Sequence, residues 1–307
     1  PSPPNNGAWG VGRGAWEVPC PLSPAPCPFQ MTRVYGVIGH PISHSLSPVM
    51  HQAAFEHLGL DALYAPFEVP PRWLGAMVRG LAAAGIDGLN VTVPLKEAVV
   101  PLLDRLDREA ETLGAVNTIV MRGGRTLGCN TDAAGFLQAL AELGWRARPC
   151  RAAILGAGGA AKAVAWALAK QPGTELTIAN RHLARAQRVA RWLRLARPSC
   201  AVRAQALDGV RLEGVDLLVN ATPLGMRPSD PMPVSLRGAP RKMLVYDLVY
   251  NRMTPLVARA RRQGCVAANG TSMLVYQGAE AFRLWWRRPP PVAVMRRAVE
   301  QALRRGA

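Results

Sequence analysis

Along this 307-residue chain the spacing of apolar and polar positions changes repeatedly between a strand period and a helix period. Val34 to Ile38 is a short apolar, strand-like run, and an amphipathic stretch from Pro48 to Leu58 follows it. Ala62 to Val69 again reads as a strand, and Pro70-Pro71 then opens a second helix. A third strand, Ile86 to Val91, leads into an expected helix over Lys96 to Leu103, and a further strand-like run, Ala115 to Met121, closes this first unit near residue 131. That β-α-β-α cadence is the pattern of a mostly parallel sheet, because parallel strands need crossover helices.

A second series begins with a helix, Ala133 to Leu143. Strand Ala152 to Leu155, helix Ala160 to Ala169, strand Leu176 to Ala179 and helix Ala184 to Leu195 come next. Strands at Leu217 to Asn220 and Met243 to Leu248, helix Pro255 to Gln263 and a short strand around Val266 complete a doubly wound sheet. Two last helices, Met273 to Trp286 and Pro291 to Arg304, have no strand to follow and are expected to pack back on the first unit. The predicted class is therefore α/β. Its parts are a parallel-sheet domain over 31–131, a doubly wound domain over 132–269 and returning helices over 270–307.

Residues 1–30 hold 8 Pro and 4 Gly with neither period, a composition expected to stay disordered. Met31 directly precedes the first strand and is the expected natural start, with the preceding residues an upstream extension; mass spectrometry of the protein from its own host tests this.

Composition narrows the function classes. Hydrophobic residues make up 49% and charged residues 19%, the profile of a soluble α/β protein. No apolar stretch reaches the ~18 residues of a membrane span, and the first thirty residues lack the apolar core of a secretory signal. The six cysteines lie far apart, with neither a zinc-site nor a disulfide-framework spacing. Free thiols and a cytoplasmic setting are the expectation. A net charge of +17 raises the question of nucleic acid. Yet the arginines are spread along helices, as at Arg185, Arg188, Arg191 and Arg194, and no nucleic-acid motif accompanies them. Solvated helix faces account for most of the charge, and a phosphate-bearing cofactor for part of the rest. A homodimer is compatible with the chain.

Gly156-Ala157-Gly158-Gly159-Ala160-Ala161 lies between an apolar strand and an Ala-rich helix, the context that a dinucleotide-binding turn requires. Gly156 permits the tight turn, Gly158 lets amides approach a pyrophosphate, and the helix amino end faces that anion. The next strand ends in Asn180-Arg181, without the acid that binds the ribose hydroxyls of NAD. Arg181, with Arg185 one turn on, offers guanidinium forks suited to a 2′-phosphate, so NADP(H) is predicted; the alternative is that Arg181 points into solvent.

Four segments of the first unit carry small polar residues. His44-Ser45-Leu46-Ser47-Pro48 precedes the first helix, where the hydroxyls of Ser45 and Ser47 favour an anionic group or simply cap the helix. Asn90, Thr92 and Lys96 surround the carboxyl end of the third strand, where α/β folds bind ligands. Only 4 of the 37 basic residues are Lys. Lys can exchange a proton near neutrality and Arg cannot, which suits Lys96 to acid/base work at a carbonyl, although an exposed Lys in a helix's first turn reads the same way. Gly114 to Thr118, with Asn117, and Asn130-Thr131-Asp132 complete the set. Asp132 reaching Lys96 would favour and orient the ammonium; alone, it reads as the cap of the helix from Ala133.

At these residues the chain resembles the shikimate dehydrogenase family. The motifs run in the family's order: Gly39-His40-Pro41 through Ser47-Pro48, Asn90 to Lys96, Gly114 to Thr118, Asn130-Thr131-Asp132, the Gly156 turn, Asn220 to Met226, Asp247 to Tyr250 and Gly270 to Gln277. The resemblance spans residues 33 to 305. It implies a two-domain enzyme with a Rossmann-type NADP domain that reduces 3-dehydroshikimate to shikimate with NADPH. It also implies that Ser45 and Ser47 hold the substrate carboxylate, and that Asn90, Thr92, Asn117, Tyr250 and Gln277 bind ring hydroxyls. Lys96 and Asp132 become the catalytic pair. The Thr222 to Met226 loop and Met273 border the nicotinamide, with Leu248 and Gly270 also on the cofactor side. Leu95, His182 and Arg252 depart from the usual family residues, and His182 removes a hydroxyl donor beside the 2′-phosphate. A quinate/shikimate dehydrogenase of relaxed cofactor use and a non-catalytic paralogue are the alternatives; retention of Lys96 and Asp132 speaks against the second.

Overall fold

The computed structural model describes residues 32–306, so the Pro-rich leading segment and the expected start at Met31 lie outside the described residues. The chain begins β1 (Arg33–Gly39), α1 (Ser47–His57), β2 (Ala62–Glu68), α2 (Leu74–Ala83) and β3 (Gly88–Val91). β1 lies between β2 and β3 and pairs in parallel with both, Tyr35 opposite Tyr64 and Val37 opposite Asn90.

Lys96 to Leu103, expected as a helix, is instead a series of turns ending in one 3₁₀ turn, Val100–Leu102. Pro101 supplies the reason: it has no amide hydrogen, and in a helix its ring would collide with the Glu97 carbonyl. The chain continues through β4 (Arg105–Leu106), α3 (Arg108–Leu113), β5 (Thr118–Arg122) and β6 (Arg125–Cys129). β5 and β6 form a hairpin that adds antiparallel pairs to the sheet, whose order is β2-β1-β3-β5-β6-β4.

The second half runs α4 (Asp132–Glu142), β7 (Arg151–Leu155), α5 (Gly159–Ala169), β8 (Glu175–Asn180), α6 (Leu183–Ala196), β9 (Ala201–Ala206), β10 (Leu217–Asn220), β11 (Leu244–Asp247), α7 (Pro255–Arg262) and β12 (Val266–Ala268). Its sheet is wholly parallel in the order β12-β11-β10-β7-β8-β9. β10 and β11 are buried at every position, which is why they read as continuous apolar runs. β9 was not anticipated, because its Ala and Arg residues carry little apolar signal and it is an edge strand. β7 continues to β8 on one side and neighbours β10 on the other, so strand order reverses there and opens a crevice at the carboxyl ends.

Two helices close the chain, α8 (Thr271–Trp286) and α9 (Val292–Arg304). Val275, Ala279, Phe282 and Trp285 of α8, with Met295 and Val299 of α9, share one buried cluster with Tyr35, Met50 and Phe55. Each large apolar side chain so buried contributes roughly 1.5–3 kcal/mol, which fixes α8 against the first sheet. Met273, at the start of the same helix, belongs to the core of the second sheet. Where α8 crosses α4, a Cβ at Gly135 would stand 2.7 Å from the Gln277 amide nitrogen, so this position has room only for glycine.

Candidate active site

A cavity of about 240 Å³ lies at the carboxyl ends of β1 and β3, and its walls include Lys96, Asn117 and Asp132. Lys96 Nζ donates to Asp132 Oδ2 at 2.6 Å, with side chains 16% and 6% exposed. Near-burial removes the competing water that weakens surface ion pairs. Asp132 is the first residue of α4 and makes no cap; Asn130 Oδ1 accepts its amide hydrogen at 3.0 Å, and the helix dipole favours its carboxylate. Its second oxygen, Oδ1, accepts from Asn117 Nδ2 at 2.8 Å. The capping alternative for Asp132 and the exposed-helix alternative for Lys96 therefore both fall. The Lys96 backbone is held too, its carbonyl accepting from Val116 N at 2.8 Å.

Asn117 organises the surroundings. Besides Asp132, its amide donates to Thr131 Oγ1 at 2.9 Å and lies 3.3 Å from Gln277 Oε1, while its own oxygen accepts from Thr131 N at 2.8 Å. Thr131 Oγ1 in turn donates to the Gln277 carbonyl at 2.9 Å, tying α8 to this loop. Asn90 donates to the Asn117 carbonyl and to Thr118 Oγ1, both at 3.2 Å, and accepts from Tyr64 Oη at 2.7 Å. Tyr64, whose phenol burial pushes to higher pKa, reaches across β1 from β2. Sequence reasoning missed it, since it looks like any strand tyrosine until strand order is known. Tyr64→Phe strands the buried Asn90 oxygen and is expected to cost about 1–2 kcal/mol in urea unfolding; an unchanged midpoint would show the bond to be dispensable.

Ser45 and Ser47 also line the cavity. Helix capping does not occupy them: the N-cap of α1 is Leu46, without a side-chain cap, and Ser45 Oγ only approaches the Ser47 amide at 3.4 Å. Thr92, Asn90, Tyr250 and Gln277 complete the polar wall. Tyr250 is largely buried, which raises its phenol pKa. Val37, Val91, Val93 and Leu274 supply apolar wall, which no polar motif marks in the sequence.

On the side of the second sheet the same cavity is bordered by Ala160, Leu248, Gly270 and Met273. Gly156, Ala157, Gly158 and Gly159 lie outside it, in the turn from β7 to α5. Gly156 has φ +113°, and a Cβ there would stand 2.7 Å from the Ala221 carbonyl. A Cβ at Gly158 or Gly159 would meet nothing within 4 Å, so the first amides of α5 face open space. Thr222 and Met226 also lie outside the cavity, on the loop after β10. Thr222 Oγ1 donates to Asn220 Oδ1 at 2.6 Å, and Met226 is 39% exposed. Beneath this loop Asp247 is completely buried and accepts from Asn220 Nδ2, Thr254 Oγ1 and Val249 N, with burial raising its pKa. This brace was not anticipated, because its members are far apart in sequence.

Asn180 Nδ2 donates to the His182 carbonyl at 3.0 Å. Arg181 and Arg185 are exposed and form no ion pair among the described residues; Arg181 lines a separate cavity of about 440 Å³ with Leu207 and Val210. An open helix amino end and two unpaired guanidinium groups beyond β8 suit a dinucleotide with an added phosphate. Among the described residues no group of three His, Cys, Asp or Glu side chains is placed to hold a metal ion.

Comparison with known proteins adds an independent line. Residues 37–119 match the shikimate dehydrogenase substrate binding domain, 139–224 the shikimate / quinate 5-dehydrogenase family, and 270–300 the shikimate 5′-dehydrogenase C-terminal domain. The shikimate dehydrogenase (NADP(+)) of Methanopyrus kandleri is 49% identical over 281 residues, covering 89% of this chain and 97% of that protein. A crystal structure of a shikimate dehydrogenase in complex with NADP⁺ superposes with a TM-score of 0.84 at 39% identity, covering 89% of this chain and 96% of its own. The shikimate 5-dehydrogenase of Thermus thermophilus in complex with NADP(H) and shikimate gives 0.79 at 38% identity, with 88% and 99% covered. With identity of this extent over nearly nine-tenths of its length, the chain belongs to the shikimate dehydrogenase family.

Proposed function

We propose that the protein interconverts 3-dehydroshikimate and shikimate with NADP(H), and that Lys96 and Asp132 are its acid/base pair. The observation that carries the reading is the 2.6 Å contact between Lys96 Nζ and Asp132 Oδ2 inside a cavity walled by hydroxyl and amide groups. Relatives named for this activity, one solved with NADP(H) and shikimate, support the choice of substrate and cofactor.

In this reading Ser45 and Ser47 receive the substrate carboxylate, and Asn90, Thr92, Asn117, Tyr250 and Gln277 bind the ring hydroxyls. A site built from so many donors and acceptors rejects an analogue that lacks a hydroxyl, because a buried group is then left unpaired. The chemistry that the reduced nicotinamide brings when bound is hydride donation to C3. Lys96 Nζ carries the proton that the developing C3 alkoxide needs, and takes it back in the reverse direction. Asp132 aims the Lys96 amine through its 2.6 Å contact, and Asn117 holds Asp132. Gly156 to Ala160 would hold the pyrophosphate, Asn180, Arg181 and Arg185 the adenosine ribose and its 2′-phosphate, and Thr222, Met226, Leu248, Gly270 and Met273 the nicotinamide side. The first sheet with α8 and α9 thus serves the substrate, and the second sheet the cofactor. A reducing cytoplasm fits the four described cysteines, all buried and unpaired.

Absorbance of reduced cofactor tests this, with shikimate or quinate each paired with NADP⁺ or NAD⁺. Shikimate with NADP⁺ is expected to give the highest kcat/KM, and Arg181→Ala to raise the KM for NADP⁺ while leaving that for NAD⁺ alone. Equal efficiency with both cofactors, or preference for quinate, overturns the assignment.

A further inference from the structure

On the far edge of the first sheet an open groove of about 960 Å³ lies between the β4-β6-β5 face and the carboxyl end of α8. Register makes its floor. Arg105 is paired with Leu127, and Leu127 with Val120, giving a row that is apolar apart from its arginine end. Two residues on, Arg122 and Arg125 face each other across the Gly123-Gly124 turn on the same side of the sheet. Arg283, Leu284, Arg287 and Arg288 of the α8 end form the wall, with Pro289 and Pro290 beyond.

Six arginines line this groove against a single carboxylate, Asp104. That carboxylate is already engaged, accepting from the Thr126 amide at 2.7 Å and from Thr126 Oγ1 at 2.9 Å. Arg283 pairs with Glu280, and Arg122 donates to the Trp285 carbonyl at 3.1 Å. Arg105, Arg125, Arg287 and Arg288 have no acidic partner among the described residues.

Two local choices at the rim work against stability. Like charges directly opposite on neighbouring strands repel, as at Arg122 and Arg125. Arg287 ends α8 in the left-handed conformation, φ +51° and ψ +35°, where helices usually place glycine; among the described residues it is the one non-glycine with positive φ. Unfavourable local choices that converge on one cavity are the signature of a binding site rather than of packing.

We infer that this groove binds a small organic anion with an apolar body and at least two acidic groups. Paired guanidinium forks match carboxylate or phosphate oxygens, and the Val120, Leu127 and Leu284 strip matches a hydrocarbon or similar spine. The volume lies at the upper end of the roughly 300–1,000 Å³ of small-ligand sites. Among the described residues no aromatic ring lines it, so they offer no stacking platform for a nucleobase. A second copy of the chain meeting this groove across a two-fold axis would bring arginines against arginines.

Calorimetric titration of the full chain with sebacate, a linear saturated dicarboxylate, and with inorganic phosphate tests the assignment. Sebacate is expected to bind saturably and more tightly than phosphate. Its affinity is expected to fall about tenfold or more in Arg122→Ala/Arg125→Ala and in Arg287→Gly. Both variants are expected to melt at the same temperature as the parent or roughly 1–3 °C higher, since each removes an unfavourable feature. Absence of saturable sebacate binding, phosphate binding as tight as sebacate, undiminished affinity in the variants, or lower melting in both overturns the inference. So does retention on phosphatidylglycerol vesicles without binding of free sebacate, which would mark a lipid-surface contact instead.

Discussion

Lys96→Ala is expected to fold and to lose about 10²–10⁴-fold in kcat for NADP⁺-dependent shikimate oxidation, the range of a lost general acid/base. The fold should survive, because Asp132 still accepts from Asn117 and starts α4, so the carboxylate left behind is not orphaned. Lys96→Arg is expected to keep the ion pair but not the rate, since a guanidinium does not release its proton near neutrality. KM for NADP⁺ should stay within a few-fold, as Gly156 to Gly159 lie outside the cavity that Lys96 lines. Circular dichroism establishes folding, and steady-state kinetics then decides. A merely few-fold loss in a folded Lys96→Ala enzyme would show that the proton travels by another route.

The second large effect concerns stability in acid. His51 of α1 is completely buried, stacked on Tyr64 with ring centroids 4.6 Å apart and edged by Trp285 and Phe55. Neither ring nitrogen finds a hydrogen-bond partner among the described residues, and burial lowers its pKa from 6.5 to about 3. The folded state thus holds the ring neutral where the unfolded chain would protonate it. A depressed histidine pKa makes stability full above the unfolded value and erodes it as pH falls through the window from about 6.5 to about 3. The slope contributed by one such group approaches about 1.4 kcal/mol per pH unit, several kcal/mol across the window. His51→Phe should flatten that part of the profile while keeping an aromatic ring against Tyr64. Urea unfolding followed across the window measures it, and parallel profiles for the two proteins would remove His51 from the account of acid lability.

How much of this was legible in the chain can be judged element by element. β10 was readable to the residue, because a parallel strand buried on both faces is an unbroken apolar run bounded by polar turns. The Gly156 turn was readable because one backbone conformation there excludes every side chain. The helix expected at Lys96 was misread, since its period was helical while Pro101 forbade the hydrogen bonds. β9 was invisible for the opposite reason, its strand character coming from pairing with β8 rather than from its own residues.

In the site, polar motifs marked Ser45, Ser47, Asn90, Lys96, Asn117 and Asp132, and rarity singled out the lysine. Their meeting was another matter. Lys96 and Asp132 are 36 positions apart and Asn117 and Gln277 are 160 apart, and they touch because β3 ends and β5 and α4 begin at one crevice and α8 returns across it. Tyr64 reaches Asn90 only because β1 lies between their strands, and the arginine groove exists only in the register of β4, β6 and β5.

The chain by itself therefore determined the alternation of elements, the glycine turn after β7 and the inventory of reactive groups, all of which rest on period and residue chemistry over a few neighbours. Strand order, helix return and register decided which of those groups meet and which stay unpaired. Those choices follow from burying apolar faces against one another, a property of the whole packed molecule rather than of any short segment.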